Sequence, residues 1–169
     1  MRRLLDALYD GAAWVGALFM VGTLLSVLAG VLDRQFAWSL RGTDMYAGYC
    51  MAASGFLALA HTLKKGEHIR VTLMLNALKG RARRALELWA MAAATALASL
   101  FAWYSVKLSI NSWQFHDVST GNDATPLWIP QITMGVGAVI LMIAFIDELV
   151  LEISGRRVQV DSEEALHHE

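Results

Sequence analysis

Along the chain, uncharged apolar runs alternate with short charged segments. Four runs contain no Asp, Glu, Lys or Arg at all: residues 11–32, 45–63, 88–106 and 124–146. Each is close to the ~20 residues that, at ~1.5 Å per residue, cover a hydrocarbon core of ~30 Å. The runs are apolar all round instead of striped on one face, so a soluble bundle of amphipathic helices does not fit them. The pattern predicts an all-α integral membrane protein with four transmembrane helices. Between the second and third runs, Val71, Met74, Leu75, Leu78, Ala82 and Leu86 recur at steps of three and four. That spacing predicts an amphipathic helix over about 71–86, lying in the membrane plane. Gly80 costs such a helix about 1 kcal/mol relative to Ala and is the point at which it would separate from the third span. A plain charged turn that enforces topology is the simpler alternative.

Charge gives the predicted spans an orientation. Seven of the fourteen Lys and Arg residues fall within residues 64–84. Counted over alternate segments, eleven lie on one side of the predicted membrane and three on the other. Cytoplasmic loops retain positive charge, so both termini and the basic loop are expected inside. Lys64, Lys65, Lys79, Arg81, Arg83 and Arg84 are then candidate anchors among anionic phospholipid headgroups. Tyr9, Trp14 and Trp89 are expected to mark the inner boundary, and Tyr46, Trp103, Tyr104 and Trp128 the outer one, because these rings favour the interface. The charged fraction of 17% is below the roughly 25% of soluble domains. Residues 1–155 read as one membrane domain and residues 156–169 as a solvated acidic tail. Arg2 and Arg3 before the first run resemble a signal peptide, but that run exceeds a usual h-region of about 7 to 15 residues. A net charge of −1 gives no reason to expect a nucleic-acid partner.

Catalytic and cofactor chemistry is thinly represented. An ion-coupled carrier needs a charged or coordinating group near the bilayer centre. The four runs offer only His61, close to the end of the second. A haem-binding bundle needs histidines facing each other across mid-membrane, and His61, His68, His116, His167 and His168 are not so distributed. Cys50 is the single cysteine and reads as a packing residue. We therefore expect no catalytic residues, cofactor or metal. Small residues four apart, Gly22, Ser26 and Gly30 in the first run, Gly48 and Ala52 in the second, Ala92 and Ala96 in the third, are candidates for close helix packing. A stand-alone small transporter and a membrane anchor of a redox enzyme are the competing readings.

Three features carry a resemblance to a known family. The first is the string "GFLALAHTLKKGEHIRVTLML", in which Gly66, His68, Ile69, Arg70 and Val71 stand in a Gly-x-His-[Ile/Val]-Arg-Val pattern. The second is "TPLWIPQ", with Pro126, Trp128 and Pro130, followed by Gly135. The third is the layout of four spans around a basic inner loop. Together they resemble the small membrane subunit, DctQ type, of tripartite ATP-independent periplasmic (TRAP) transporters. Thr72 and Asp44 depart from the residues common in that family, Asp and Glu respectively, which leaves the sub-branch open. The resemblance implies a non-enzymatic bacterial inner-membrane subunit. It would brace a large permease (M) subunit that imports an organic acid anion with a cation gradient, sodium being the expected ion, fed by a periplasmic binding protein. On that reading Gly66, His68, Arg70, Pro126, Trp128, Pro130 and Gly135 are motif and partner-contact candidates. Arg34, Arg41, Asp117 and Asp123 are candidates for docking the binding protein.

Overall fold

The computed structural model describes residues 2–36, 38, 42–65, 81–121 and 123–154. They form four helices: α1 (Arg2–Phe36), α2 (Thr43–Lys64), α3 (Arg81–Gln114) and α4 (Trp128–Ile153). Each predicted run lies largely within one helix, but the helices outrun them. At ~1.5 Å per residue, α1 and α3 are about 50 Å long. That exceeds a ~30 Å core, so they tilt or extend beyond it. α4 begins at Trp128, later than the expected 124, because Pro126 is held in an antiparallel bridge with Val118. The interfacial helix expected over about 71–86 falls mostly on residues outside those described, and residues 81–86 belong to α3.

By length and composition α1, α3 and α4 are suited to crossing a membrane. α2 has 22 residues, about 33 Å, but carries Tyr46, Tyr49, Ser54 and His61 and is not among those three. Its position explains why a less apolar sequence suffices. The helices form an open row in the order α1, α2, α4, α3, with α1 barely reaching α4. α2 therefore has protein on two sides, against α1 and α4. Successive helices run antiparallel, whereas α2 and α4 lie parallel.

Close backbone approach holds the row together. A Cβ on Gly137 of α4 would fall 2.7 Å from the Phe56 carbonyl carbon and oxygen of α2. A Cβ on Gly16 of α1 would lie 3.2 Å from the Ser54 carbonyl oxygen, on the other side of α2. Of the small residues expected to pack, Gly22 lies against Cys50 and Gly30 against Thr43, both on the α1–α2 seam. Gly48 and Ala52 instead face outward, as do Ala92 and Ala96. Tyr9, Ala12, Leu57, Ala60, Leu63, Ile140 and Ala144 fill the core where α1, α2 and α4 meet.

Two glycines of similar sequence context should thus respond oppositely. Gly137→Leu drives a side chain into the backbone of α2 and should destabilise the purified subunit by about 1–3 kcal/mol or prevent folding. Gly55→Ala, with nothing within 4 Å of its added Cβ, should be neutral or stabilising by up to about 1 kcal/mol. Thermal unfolding in detergent distinguishes the two.

Candidate functional site

Candidate residues gather at the two ends of the row. At the basic end, Asp6, Tyr9 and Asp10 sit at spacings of three and four on α1, so they share a helix face. His61 and Lys64, three apart on α2, meet that face. Lys64 Nζ lies 2.8 Å from Asp6 Oδ1, and His61 Nδ1 lies 3.1 Å from Asp10 Oδ1. Lys64 Nζ also stands 6.0 Å from the Tyr9 ring centroid, at the limit of cation–π range. An ion pair and a histidine–carboxylate contact one turn apart thus clasp the start of α1 to the end of α2. Trp14 projects outward and, with Asp10, Ala13, Ala17 and His61, lines a shallow groove beside this clasp. On α3 at the same end, Arg83 Nε pairs with Glu87 Oε1 at 3.0 Å, while Arg84 and Trp89 are exposed.

The opposite end is built around Gly42. Its φ of 82° is left-handed, and a Cβ there would fall 2.6 Å from Asp123 Cβ. Only glycine lets the start of α2 touch the α3–α4 loop so closely. That loop is tied by Ser119 N–H donating to the Thr125 carbonyl at 2.8 Å and Leu127 N–H donating to the Asp117 carbonyl at 2.9 Å. Tyr49 Oη donates to Asp123 Oδ2 at 3.2 Å, and the Thr125 hydroxyl lies 3.4 Å from the Tyr46 hydroxyl. The Thr125 and Ser119 hydroxyls, then the Asp123 backbone amide and the Tyr49 phenol, hold the Asp123 carboxyl below its ordinary 3.8 against an opposing desolvation. Arg34 Nη2 pairs with Asp44 Oδ2 at 3.1 Å, joining α1 to α2.

The structure therefore ties Arg34 and Asp123 into the subunit itself, and leaves the Asp117 side chain exposed. Pro126 lies in the bridge to Val118, Trp128 opens α4, and the Pro130 carbonyl in its first turn accepts from the Thr133 hydroxyl at 2.7 Å. Gly135 is buried, its nearest neighbours being Ser109, Val106 and Ser105 of α3. Lys65 follows α2, with its N–H donating to the His61 carbonyl at 3.0 Å. Arg41, Gly66, His68, Arg70 and Lys79 lie outside the described residues, and Arg81 is described only as the first residue of α3.

Sequence reasoning missed the acidic partners of His61 and Lys64, although Asp6 and Asp10 at helical spacing just before an apolar run signalled a charged face. It also stopped the third span at residue 106. Ser105, Ser109 and Ser112 recur at helical spacing and are all buried, so α3 continues against α4 well past Lys107. Pairing along α3 and α4 sets the heights. Thr95 Oγ1 reaches the Phe145 carbonyl at 3.4 Å, Gly135 sits beside Val106 and Ser109, and Asp117 bonds Leu127. Trp103 and Tyr104 thus lie level with the middle of α4, near Gly137 and Ala138. They are not level with Trp128, with which they were expected to share a boundary. Trp113 is the α3 residue level with Trp128. Among the described residues no group of three or more His, Cys, Asp or Glu is placed to hold a metal ion.

The low Asp123 value makes the α2–loop contact acid-sensitive. A carboxyl whose folded value lies below its unfolded one stabilises fully above 3.8, and that contribution is lost as pH falls through the lower folded value. Protection factors of the loop amides from 115 to 127, corrected for intrinsic exchange, should fall on acidification through that range. Asp123→Asn should raise exchange severalfold at neutral pH and flatten the dependence.

Residues 23–155 match the family model described as "Tripartite ATP-independent periplasmic transporters, DctQ component". No curated protein matches the chain.

Proposed function

The chain belongs to the DctQ component family of tripartite ATP-independent periplasmic transporters, and on that premise we propose that it is the non-catalytic brace of the large permease subunit. It is a multi-pass membrane protein and the small membrane component of such a transporter. The proposal concerns how it works. The observation that carries it is the open row itself. Glycine-mediated contacts lock α1, α2 and α4 together, while α1 and α3 at the edges keep broad apolar faces that no other described helix covers. A closed bundle would hide such faces. An open one gives a larger neighbour a wide, stiff wall, against which a moving domain can work without dragging the whole assembly.

In this reading α2 crosses the membrane with the other three helices, and both termini face the cytoplasm of the bacterial inner membrane. The clustering of Lys64, Lys65, Arg83 and Arg84 at one end of the row supports that orientation, with anionic lipids around them. The permease subunit imports an organic acid anion driven by a cation gradient, with sodium the expected ion. A periplasmic binding protein delivers the solute to the opposite end, where Arg41 and the exposed Asp117 are the docking candidates. Gly66, His68 and Arg70 of the family pattern belong to the connection between α2 and α3, with Arg70 a proposed contact to the large subunit.

Reconstitution tests the role directly. Vesicles holding both membrane subunits, supplied with binding protein and a cation gradient, should accumulate solute. Vesicles with this chain alone should not, and those with the large subunit alone should lose most of the uptake. Accumulation by this chain alone would make it a carrier in its own right and end the brace interpretation.

A further inference from the structure

Lys107 occupies an unusual place. It lies on the exposed side of α3, and it has no ion-pair or hydrogen-bond partner among the described residues. Its neighbours on α3, Val106 and Ser109, pack beside Gly135. From Gly135 to Trp128, and from Lys107 to Gln114 at the helix end, the rise is about 10 Å. Lys107 therefore sits well inside the rung marked by Trp113 and Trp128. One turn deeper on the same face, Trp103 is 70% and Tyr104 59% exposed, level with the middle of α4. Neither has a hydrogen-bond partner among the described residues.

Lipid alone is a poor occupant for this patch. Trp and Tyr favour the interface, where the polar tip is wet, and hydrocarbon offers their N–H and O–H nothing. A lysine can snorkel if its stem points toward the nearer headgroups. Side chains lean toward the N-terminus of their helix. In α3 that direction leads from Lys107 toward Trp103 and the interior, away from the Trp113 end. The nearest acids along α3 are Glu87, already paired with Arg83, and Asp117 in the loop beyond the helix. An aromatic pair beside a cation, once a partner covers them, has the composition of a protein–protein hot spot, and intramembrane cations are found paired.

We propose that the Trp103–Tyr104–Lys107 face of α3 is the seat of a transmembrane helix of the large permease subunit, which presents a carboxylate to Lys107. This rests on the brace reading above. It assigns the partner to the α3 edge of the row and gives its chemistry at that point: an acidic side chain within an otherwise apolar helix, flanked by small residues that accept the two rings.

The test is copurification of the tagged chain with the coexpressed large subunit, combined with cysteine cross-linking in native membranes on a Cys50→Ser background. Lys107→Arg should retain the complex. Lys107→Met should lower recovery about tenfold or more, Lys107→Glu further still, because the partner carboxylate is left unpaired. Trp103→Ala should also weaken it. Lys107→Met should leave the thermal stability of the isolated subunit unchanged, since Lys107 is exposed and has no ion-pair or hydrogen-bond partner among the described residues, so loss of complex is not loss of fold. Lys107→Cys should cross-link to the large subunit, and Leu18→Cys on exposed α1 should not. Full recovery of complex with Lys107→Met, or cross-linking of Lys107→Cys only to a second copy of this chain, overturns the α3 assignment while leaving the brace reading intact. Absence of any complex with the unaltered chain overturns both.

Discussion

Helices inside a bilayer gain little from hiding apolar surface, because lipid tails are as apolar as leucine. Association then depends on how closely backbones approach and how many van der Waals contacts they make. In this protein that constraint concentrates on α2, touched from one side by Gly16 and from the other by Gly137. The α2–α4 contact is the tighter, with glycine against carbonyl. Everything else in the row is hung on it: α1 through α2, and α3 through α4.

Polar groups finish what glycine begins, and they do so at the ends. The Asp6–Lys64 and Asp10–His61 pairs close the α1–α2 seam at the basic end, and Arg34–Asp44 closes it at the other. These pairs are partly exposed, and such pairs contribute about 0–1 kcal/mol each, so they fix register more than they supply stability. Within the bundle, Thr23, Thr95, Ser99 and Ser109 donate to carbonyls one turn back in their own helices. That arrangement satisfies a hydroxyl without demanding a partner helix. The mechanical role proposed above draws on this division: a stiff centre, zipped ends, and edges left for a neighbour.

Much of this was legible in the sequence. Four uncharged runs became the centres of four helices, because a run of that length leaves the backbone no economical state but a helix in lipid. The three-dimensional order of the row was not legible, since Gly48 and Ala52 have the same spacing as Gly22 and Ser26 yet face outward. Spacing identifies a face and says nothing of what lies opposite. The true end of α3 was obscured by Lys107, because a charge ordinarily ends a span. Only the buried serines beyond it reveal that the helix goes on. The Asp123–Tyr49 contact joins residues far apart in the chain through a left-handed Gly42, and no local pattern announces such a contact. The family pattern was recognisable from Pro126, Trp128, Pro130 and Gly135 together with the string around Gly66 and Arg70, and the family match spans both.

The parallel placement of α2 and α4 has a consequence for biogenesis. A ribosome delivers α1 and α2 as a ready hairpin, but the surface of α2 around Phe56, Leu57 and Ala60 finds its cover only after α3 and the loop have been synthesised and α4 has entered the bilayer. Until then the one helix of the four that is not by itself suited to crossing a membrane must be shielded, whether by the insertion machinery or by lipid that tolerates it poorly. The last helix to be made is thus the one that completes the core, and a chain cut short before Gly137 would leave quality-control proteases a half-dressed hairpin to remove.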